Sequence, residues 1–414
     1  MNTWQIARLR DVAPPIPSAK KFSPDEIVWM LTLDQIESET GNIIDKVRIP
    51  AFEAGVSSQS FDEENVLYSK LRPYLNKVVL PDEPGISTTE LVPLQPKKNI
   101  LDRRFLYYFL RTSAFLAFAN QNVAGVKMPR VIMERFWQYQ IPLPPLSEQR
   151  RIVEILDQAD ALRKKRAETD KLTEKIIPAL FYELFGNPKE NPKGWRTEKL
   201  GTHIKVQGGF AFKSDDFLET GPLLVRIGNL VNDEIIINES SVFLPELFLI
   251  EYEDYKLAKG DVLIALTGAT TGKLARFDLD LSALLNQRVG RFVKKEKSEI
   301  HLDYLFYLMK TEKLQSYIWK CAKGFGQPNI APRQIEDYEI TIPPKELQEK
   351  FSLIVQRLRL IKNKFVKSHS SISDLYRMIL DQAFLSDLTV KWREAHMKEL
   401  LQEMEQRSKE LNFK

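Results

Sequence analysis

The chain is poor in the residues that form disulfides and metal sites. Among its 414 residues there is one cysteine, Cys321, so no disulfide can form within the chain and a cytoplasmic setting is expected. The four histidines are scattered without the spacing of a metal site. The most apolar stretch, residues 105–119, contains Arg111 and is too short to span a bilayer. Residues 1–5 lack the basic and apolar segments of a signal peptide, so no membrane association is expected.

Composition is that of a soluble protein with room for two domains. Apolar residues make up 43% of the chain and charged residues 28%. The net charge of +4 and the isoelectric point near 8.8 are compatible with a polyanionic partner but do not require one.

The sequence repeats itself. When it is shifted by 199 residues, residues 105–151 align without a gap on residues 304–350. Ten positions are then identical: Leu106/Leu305, Tyr108/Tyr307, Thr112/Thr311, Gly125/Gly324, Pro129/Pro328, Tyr139/Tyr338, Ile141/Ile340, Pro144/Pro343, Pro145/Pro344 and Gln149/Gln348. A period this long indicates a duplicated domain rather than a solenoid. Two copies of one module predict one ligand with two related sites.

Each copy has the pattern of a mixed α+β module. Short apolar runs bounded by Pro and Gly predict strands at 27–33, 66–71, 77–80 and 91–94 in the first copy, and at 223–227, 262–266 and 291–294 in the second. A helix is predicted in each copy, over 102–119 and 302–319.

Two long helices are predicted after the modules, over 147–185 and 346–385, with Ser147 as the N-cap of the first. Apolar residues recur at coiled-coil spacing, as the seam Ile152, Ile155, Ala159, Leu162, Ile176 and Leu180 in the first helix and Ile354, Leu358, Ile361, Phe365, Ser368, Ile372, Leu375 and Ile379 in the second. Antiparallel pairing would place the modules at opposite ends with pseudo-two-fold symmetry. The alternative is that each amphipathic helix lies on its own domain.

Several ordered motifs resemble one known family. They are Ile141–Ile152 (IPLPPLSEQRRI), Gly260–Lys273 (GDVLIALTGATTGK), Val206–Lys213 (VQGGFAFK), Leu67–Tyr74 (LYSKLRPY) and Leu388–Glu394 (LTVKWRE). Together with the duplication, this set resembles the specificity subunit of type I restriction-modification systems over nearly the whole chain. The second copy departs from the pattern, because Ile342–Gln348 lacks the Leu-Ser-Glu-Gln sequence.

The resemblance implies a division of labour. Each module would be a target recognition domain that reads half of a split sequence in double-stranded DNA. The helix pair would fix the unread gap and dock two modification (methyltransferase) subunits, through which restriction subunits join. S-adenosylmethionine, ATP and magnesium would belong to those partners, and this chain would carry no cofactor. The implied segments are recognition domains at 1–146 and 188–344, spacer helices at 147–187 and 345–386, and a helical tail at 387–414 with a helix over 390–411.

Candidate DNA contacts are polar side chains near glycines or turns, because Arg and Lys recognise guanine and phosphate while Asn and Gln recognise adenine. Two loops at equivalent places in the repeat, 124–130 and 323–329, provide the first candidates: Lys127, Arg130, Lys323, Gln327 and Asn329. A second group is Lys70 and Arg72 in the first copy, with Thr267, Thr270, Thr271 and Lys273 in the corresponding turn of the second. A third group is Asn286, Gln287 and Arg288. The loops could instead merely connect helix to strand. The run 163–166 is expected to be a solvated helix face, with attraction of DNA in the unread gap as the alternative.

Motifs for catalysis are missing from the sequence. In the turn Gly268–Lys273 only three residues separate the glycines and Leu274 follows the lysine, so the pattern of a P-loop is not met. There is no Gly-x-Ser-x-Gly elbow and no Asn-Pro-Pro-aromatic motif of adenine methyltransferases. We therefore expect a non-catalytic DNA-recognition subunit. The alternatives are a DNA methyltransferase or nuclease in its own right, and a coiled-coil scaffold that binds only protein.

Overall fold

The computed structural model describes residues 4–322 and 327–411. The chain divides into two compact units. Unit 1 comprises residues 1–168 and 367–414, and unit 2 comprises residues 169–366. Each unit therefore contains one copy of the repeat and one part of each long helix. Every helix among the described residues is too short or too polar to cross a lipid bilayer.

The elements of the first copy are short. Its strands are β1 (Gln5–Arg8), β2 (Ile27–Leu31), β3 (Arg48–Pro50), β4 (Ser58–Phe61), β5 (Val66–Ser69), β6 (Val78–Val79), β7 (Gly85–Thr88), β8 (Leu91–Leu94), β9 (Val123–Ala124), β10 (Arg130–Val131) and β11 (Gln140–Leu143). Its helices are α1 (Leu9–Val12), α2 (Arg103–Phe109), α3 (Ser113–Gln121) and α4 (Met133–Gln138), and the long helix α5 (Leu146–Phe185) follows.

The second copy has the same plan. Its strands are β12 (Thr197–Lys199), β13 (Ile204–Gly208), β14 (Leu218–Val225), β15 (Leu230–Val231), β16 (Asp233–Ile235), β17 (Asp261–Ala265), β18 (Leu274–Phe277), β19 (Ala283–Leu285), β20 (Val289–Lys294) and β21 (Glu339–Thr341). Its helices are α6 (Leu200–His203), α7 (Phe248–Glu251), α8 (Leu302–Met309), α9 (Glu312–Ala322) and α10 (Pro332–Glu336), followed by α11 (Lys345–Ala383) and the tail helices α12 (Val390–Ala395) and α13 (Met397–Leu411).

Each unit contains one sheet that combines parallel and antiparallel strand pairs. Unit 1 contains a four-stranded sheet in the order β3-β2-β7-β4 and a three-stranded sheet in the order β6-β5-β8. Unit 2 contains a six-stranded sheet in the order β13-β20-β17-β18-β16-β15 and the parallel pair β14-β19. The expected α+β class is confirmed.

The duplication is visible in local contacts. In unit 1, β1 pairs with β11 and the Leu9 amide donates to the Tyr139 carbonyl at 2.9 Å. In unit 2, β12 pairs with β21 and the Leu200 amide donates to the Tyr338 carbonyl at 2.8 Å. The ladder therefore joins the start of each module to its end, directly before the long helix begins.

Each helix predicted within a module is two helices. The prediction of one helix over 102–119 is wrong, because α2 ends at Phe109 and α3 begins at Ser113. The Thr112 hydroxyl donates to the Phe109 carbonyl and accepts from the Phe115 amide, so it terminates one helix and caps the next. Thr311 makes the equivalent bond to the Leu308 carbonyl between α8 and α9. This explains why threonine is repeated at this position.

In each unit the two long helices pack antiparallel. In unit 1, the Arg163 guanidinium lies 4.8 Å from the centre of the Tyr376 ring. Glu148, near the start of α5, accepts a hydrogen bond from Thr389, which follows the end of α11. In unit 2, the ring centres of Phe185, near the end of α5, and Phe351, near the start of α11, are 5.2 Å apart. The antiparallel pairing is confirmed, and the alternative of helices that lie only on their own domains is wrong.

The predicted seam is wrong at four positions. Leu162 and Ile176 of α5 and Ile361 and Leu375 of α11 are exposed. Ile152 of the predicted seam is buried as expected. Phe365 and Ser368 of the seam have side chains outside the described part of the structure. The other buried positions are Val153, Leu156, Phe181 and Phe185 on α5, and Phe351, Val355, Tyr376, Leu380 and Ala383 on α11. The helices face the modules as well as each other, so the buried stripe is wider than a two-helix seam and rotated from it.

The run 163–166 is not a purely solvated face either. The Arg163 side chain is largely buried, bonds to Asp160 and covers the Tyr376 ring.

The tail is anchored to the start of α5. Arg393 on α12 bonds to the Glu148 carboxylate at 2.7 Å, and that carboxylate also accepts from Thr389 and from the Trp4 indole. The helix predicted over 390–411 breaks at His396, which leaves helical geometry (φ −113°, ψ 15°). Glu403 on α13 accepts from the Ser147 amide at 3.2 Å and the Ser147 hydroxyl at 2.6 Å. Ser147 lies within α5 rather than at its N-cap, and Glu403 supplies the carboxylate at this helix end.

Candidate DNA-recognition loops

The four predicted contacts in unit 1 converge on one loop cluster: Lys70, Arg72, Lys127 and Arg130. This first loop cluster consists of residues 70–72, which follow β5, and residues 123–131. The Arg72 amide donates to the Pro129 carbonyl at 2.7 Å, and the Val131 amide donates to the Lys70 carbonyl at 2.8 Å. Lys127 projects from the same cluster and is exposed. The structure thus joins two candidate groups that lie more than fifty residues apart in the sequence.

The second loop cluster has the same construction in unit 2. It consists of residues 266–273, 286–288 and 327–329. The Gly268 amide donates to the Pro328 carbonyl at 2.7 Å, and the Ile330 amide donates to the Leu266 carbonyl at 2.9 Å. The Leu266 amide donates to the Arg288 carbonyl at 2.9 Å, which adds the third candidate group. Pro129 and Pro328, a matched pair of the repeat, therefore accept equivalent backbone bonds.

The second cluster lies at one end of the six-stranded sheet. β13 and β17 end there, at Gly208 and Ala265, and β18 and β20 begin there. Loops at one end of a sheet are held by its ladder while their tips stay accessible, which suits recognition of a large ligand. Gln327, Asn329, Lys273, Gln287 and Arg288 are all exposed on these loops.

Two glycines allow the turn 266–273 to form. Gly268 and Gly272 both have positive φ, +82° and +85°. A Cβ on Gly268 would lie 3.2 Å from the side-chain nitrogen Nε2 of Gln327, and a Cβ on Gly272 would lie 2.9 Å from the side-chain oxygen Oε1 of Gln315. The glycines therefore let helix α9 and the 327–329 loop approach the turn closely, and the expected Gly-rich turn is found between β17 and β18.

Not every predicted residue presents its polar group. The Arg130 guanidinium is bonded to Glu90 at 2.9 Å, and this hydrogen bond raises the pKa of Arg130. Arg130 therefore holds the loop to Glu90 and has much of its charge offset. The hydroxyls of Thr267 and Thr270 are shielded from solvent, and the Thr271 hydroxyl donates to the Gly268 carbonyl. The group of this turn that is accessible to a ligand is therefore the Lys273 side chain and not the threonine hydroxyls. Lys323 lies outside the described residues.

One exposed cation beside the second loop cluster was not predicted. Arg226 directly follows the last residue of β14, Val225, whose carbonyl accepts from the Asn286 amide at 3.2 Å. The neighbouring Ile227 side chain lies 3.8 Å from the Cβ position of Gly268, so the Arg226 turn packs against the 266–273 turn. Its position in the sequence could have indicated it, because Arg226 directly follows a buried strand segment just as Lys70 follows β5.

The electrostatic character of both clusters is basic. Five cations in or beside the clusters are exposed: Arg72 and Lys127 at the first, and Lys273, Arg226 and Arg288 at the second. Among the described residues, no salt bridge to any of these five is found. Exposed cations and amides without carboxylate partners suit a phosphate backbone and base edges. Among residues 4–322 and 327–411, no three His, Cys, Asp or Glu side chains are grouped as a metal site requires.

Comparisons with known proteins agree with this architecture. The family described as type I restriction modification DNA specificity domain matches residues 1–174 and again residues 192–369. The MjaVIII specificity subunit of a type I restriction enzyme from Methanocaldococcus jannaschii is 31% identical over 295 residues, which cover 67% of this chain and 68% of that protein. The MjaIX specificity subunit of the same organism is 24% identical and covers 87% of this chain and 88% of its own length.

A solved structure has a similar fold. It is described as showing complex assembly and conformational transition of a type I restriction-modification system, and the match covers 94% of this chain and 99% of that one, with a TM-score of 0.60 and 20% identity. The family match covers most of the sequence and occurs once in each copy of the repeat. The chain therefore belongs to the family of type I restriction-modification DNA specificity domains.

Proposed function

We propose that this chain is the DNA-specificity subunit of a type I restriction-modification complex, and that it performs no catalysis itself. The observation that carries the proposal is the pair of equivalent loop clusters, each built on the same backbone contacts around a repeated proline. Two related binding surfaces suit a split DNA target, because each half can be read by one module. The recognition domains correspond to residues 1–146 and 188–344.

Within each loop cluster the residues have different roles. Exposed Lys127, Arg72 and Lys273 suit contacts to phosphate, which position the duplex without reading sequence. Gln327 and Asn329 suit bidentate bonds to adenine, and Arg288 suits guanine. Thr270 and Arg130 are more important for the shape of the loops, because their polar groups are shielded or already bonded.

The long helices are proposed as the spacer and as the docking surface for two modification subunits. Unit 1 exposes Leu162 and Leu375, which are 57% and 53% accessible. These residues precede Arg163 and Tyr376, which are in contact, so they lie at the same level of the helix pair. Unit 2 exposes Ile361 and Ile176, each 45% accessible.

The four positions are related by the repeat. Leu162 corresponds to Ile361, and Ile176 to Leu375, at the shift of 199 residues. Each unit therefore exposes the same pair of apolar positions, with one residue from each helix. Exposed apolar positions that recur in this way suit two copies of one partner. Restriction subunits would join through the modification subunits, and S-adenosylmethionine, ATP and magnesium would be bound by those partners.

The decisive experiment is to express the chain with its cognate modification subunit and to map methylated adenines in host DNA. The expected result is one bipartite motif with a fixed gap. Substitution of Gln327 and Asn329 by alanine should change the bases accepted in one half of the motif only. The purified chain alone should transfer no methyl group, and methylation by the isolated chain would contradict the proposal.

A further inference from the structure

A cavity in unit 1 is lined by three arginines. It has a volume of about 460 Å³ and lies between α3, the turn at Asn76, and the parts of α5 and α11 that belong to this unit. The arginines are Arg111 from the break between α2 and α3, Arg163 from α5 and Arg377 from α11. This volume is within the range of small-ligand sites.

Arg111 is buried without a carboxylate partner. Its side chain donates to the Tyr107 hydroxyl and to the Glu39 backbone carbonyl, and its Nε has no hydrogen-bond partner. Among the described residues, no salt bridge to Arg111 is found. Burial would lower the pKa of Arg111, but the electrostatic influence of Tyr107, Tyr376 and Asp160 outweighs burial and the pKa is raised. The guanidinium therefore stays charged at a place where no carboxylate is bonded to it.

The acidic groups around the cavity are already engaged. Asp160 bonds to Arg163 and Lys164; burial alone would raise its pKa, but these cations outweigh burial, so the pKa of Asp160 is lowered and the carboxylate stays charged. Asp381 accepts from the Ser113 amide at the start of α3. Glu39 lines the cavity and accepts from Asn76.

Tyr376 adds a donor to the lining. Its hydroxyl is shielded and has no hydrogen-bond partner, and its ring lies against Arg163. Burial raises the pKa of Tyr376 to about 12, so the hydroxyl keeps its proton at neutral pH.

The equivalent cavity of unit 2 is electrostatically different. Lys310 occupies the position of Arg111 at the shift of 199 residues, and it bonds to Asp233. Asp233, Glu234 and Glu174 line that cavity together with its cations. The unit 2 cavity is lined by the four cations Arg276, Lys310, Arg359 and Lys362 and by three carboxylates. That of unit 1 is lined by three arginines and one carboxylate, and of these arginines Arg163 is paired with Asp160 behind the lining.

We propose that the unit 1 cavity binds a phosphate group through Arg111, Arg163 and Arg377, with the Tyr376 hydroxyl as a further donor. Guanidinium groups match the geometry of phosphate oxygens, and the low exposure of Arg111 and Arg163 strengthens their bonds, while Arg377 is exposed at the rim. The group belongs either to free phosphate or a small phosphorylated molecule, or to the backbone of the bound duplex. This site is separate from the loop clusters. The duplex alternative rests on the function proposed above, whereas binding of a free phosphate group does not.

The test titrates inorganic phosphate into the full chain at constant ionic strength, with chloride as the reference salt. Binding is followed by the 31P linewidth and by the unfolding temperature. Phosphate should bind the wild type, and Arg377→Glu should weaken binding by about tenfold, since a charge-assisted bond is lost and a repulsion is added. Tyr376→Phe, which keeps the ring that covers Arg163, should weaken it by roughly threefold. The matched control, Lys362→Glu in the unit 2 cavity, should bind as the wild type does.

A second arm separates the two sources of the phosphate. Duplex affinity of the complex with the modification subunit is measured for the wild type, Arg377→Glu and Lys362→Glu. A loss specific to Arg377→Glu assigns the site to a DNA phosphate, and unchanged duplex affinity assigns it to a free phosphate group. The inference is overturned if neither free phosphate nor duplex discriminates Arg377→Glu from Lys362→Glu.

Discussion

Gln149 and Gln348 make the same three hydrogen bonds in the two units. Gln149 accepts from the Asp102 amide and donates to the carbonyls of Ile100 and Pro144. Gln348 accepts from the His301 amide and donates to the carbonyls of Glu299 and Pro343. Both side chains are buried, and each links the start of a long helix to the segment directly before α2 in unit 1 or α8 in unit 2.

Gln149→Leu should lower the free energy of unfolding by about 2–4 kcal/mol, because one amide and two carbonyls lose their partners in a buried site. Gln348→Leu should have a similar effect on unit 2. The matched control is Gln138→Leu, an exposed position in unit 1, for which about 0.5 kcal/mol or less is expected. Urea unfolding followed by tryptophan fluorescence measures all three. Equal effects of Gln149→Leu and Gln138→Leu would show that the bonds contribute nothing.

The tail should depend on one buried ion pair. Arg393→Ala leaves the Glu148 carboxylate, which is 1% exposed, without its cation, at a cost of about 3 kcal/mol. The tail should then detach, and limited proteolysis should cleave it near residue 388 before any other site. Lys391→Ala changes an exposed lysine on the same helix and should leave the cleavage pattern unaltered. Identical digestion of both variants would mean that the ion pair does not anchor the tail.

Docking of modification subunits should respond to the repeated apolar pairs. Leu162→Asp with Leu375→Asp should reduce the complex from two modification subunits to one, because aspartate at these positions opposes burial in an interface. Ile361→Asp with Ile176→Asp should do the same, and all four changes together should abolish assembly. Native mass spectrometry gives the stoichiometry. Gln158→Asp with Gln382→Asp, at exposed polar positions on the same helices, is the control; a complex that keeps two partners in every variant would exclude these positions.

The lysines of the loop clusters should contribute to DNA affinity through phosphate contacts. Lys127→Ala and Lys273→Ala should each weaken duplex binding of the assembled complex and reduce the salt slope by about one. The recognised bases should stay the same. Lys97→Ala and Lys297→Ala, at exposed positions outside the clusters, serve as controls for the two units. If the control variants alter the salt slope as much, the effect comes from net charge and not from the loops.

The spacing of the two half-sites should follow the length of α5. Four residues inserted after Arg166 add about 6 Å of helix and slightly more than one turn. Since DNA rises about 3.4 Å per base pair, the unread gap should lengthen by one or two base pairs while the terminal bases are kept. The same insertion after Lys297, in an exposed turn of unit 2, should leave the gap as it is. Motif mapping decides; a changed half-site with a constant gap would show that the helices are not the spacer.

The sequence was informative where the repeat and apolar pattern agreed. The matched pairs Tyr139/Tyr338 and Pro129/Pro328 correctly located backbone contacts that recur in both units, because those contacts need the same chain geometry twice. The loop groups around Lys70 and Lys127 could be proposed separately, but their convergence depends on strand pairing that local sequence does not specify.

Apolar spacing alone misplaced the surface of the long helices. Leu162 and Ile361 fit the seam because the pattern assumes that a helix buries leucine and isoleucine against one partner. The helices here also pack on the modules, which moves Tyr376 and Leu380 inward and leaves the expected seam positions outside. Arg130 was likewise predicted as a free contact, since nothing near it in sequence indicates Glu90, forty residues earlier.

The composition of unit 1 has a consequence for the order in which the protein is completed on the ribosome. Its core includes Tyr376, Leu380 and Ala383, and its first long helix is covered by Arg393 and Glu403. Residues 169–366 are all synthesised before any of these. Unit 1 can therefore be completed only after residues 169–366 have been synthesised, and the face of α2 that packs against Phe384 through Phe105 and Phe109 stays uncovered until then.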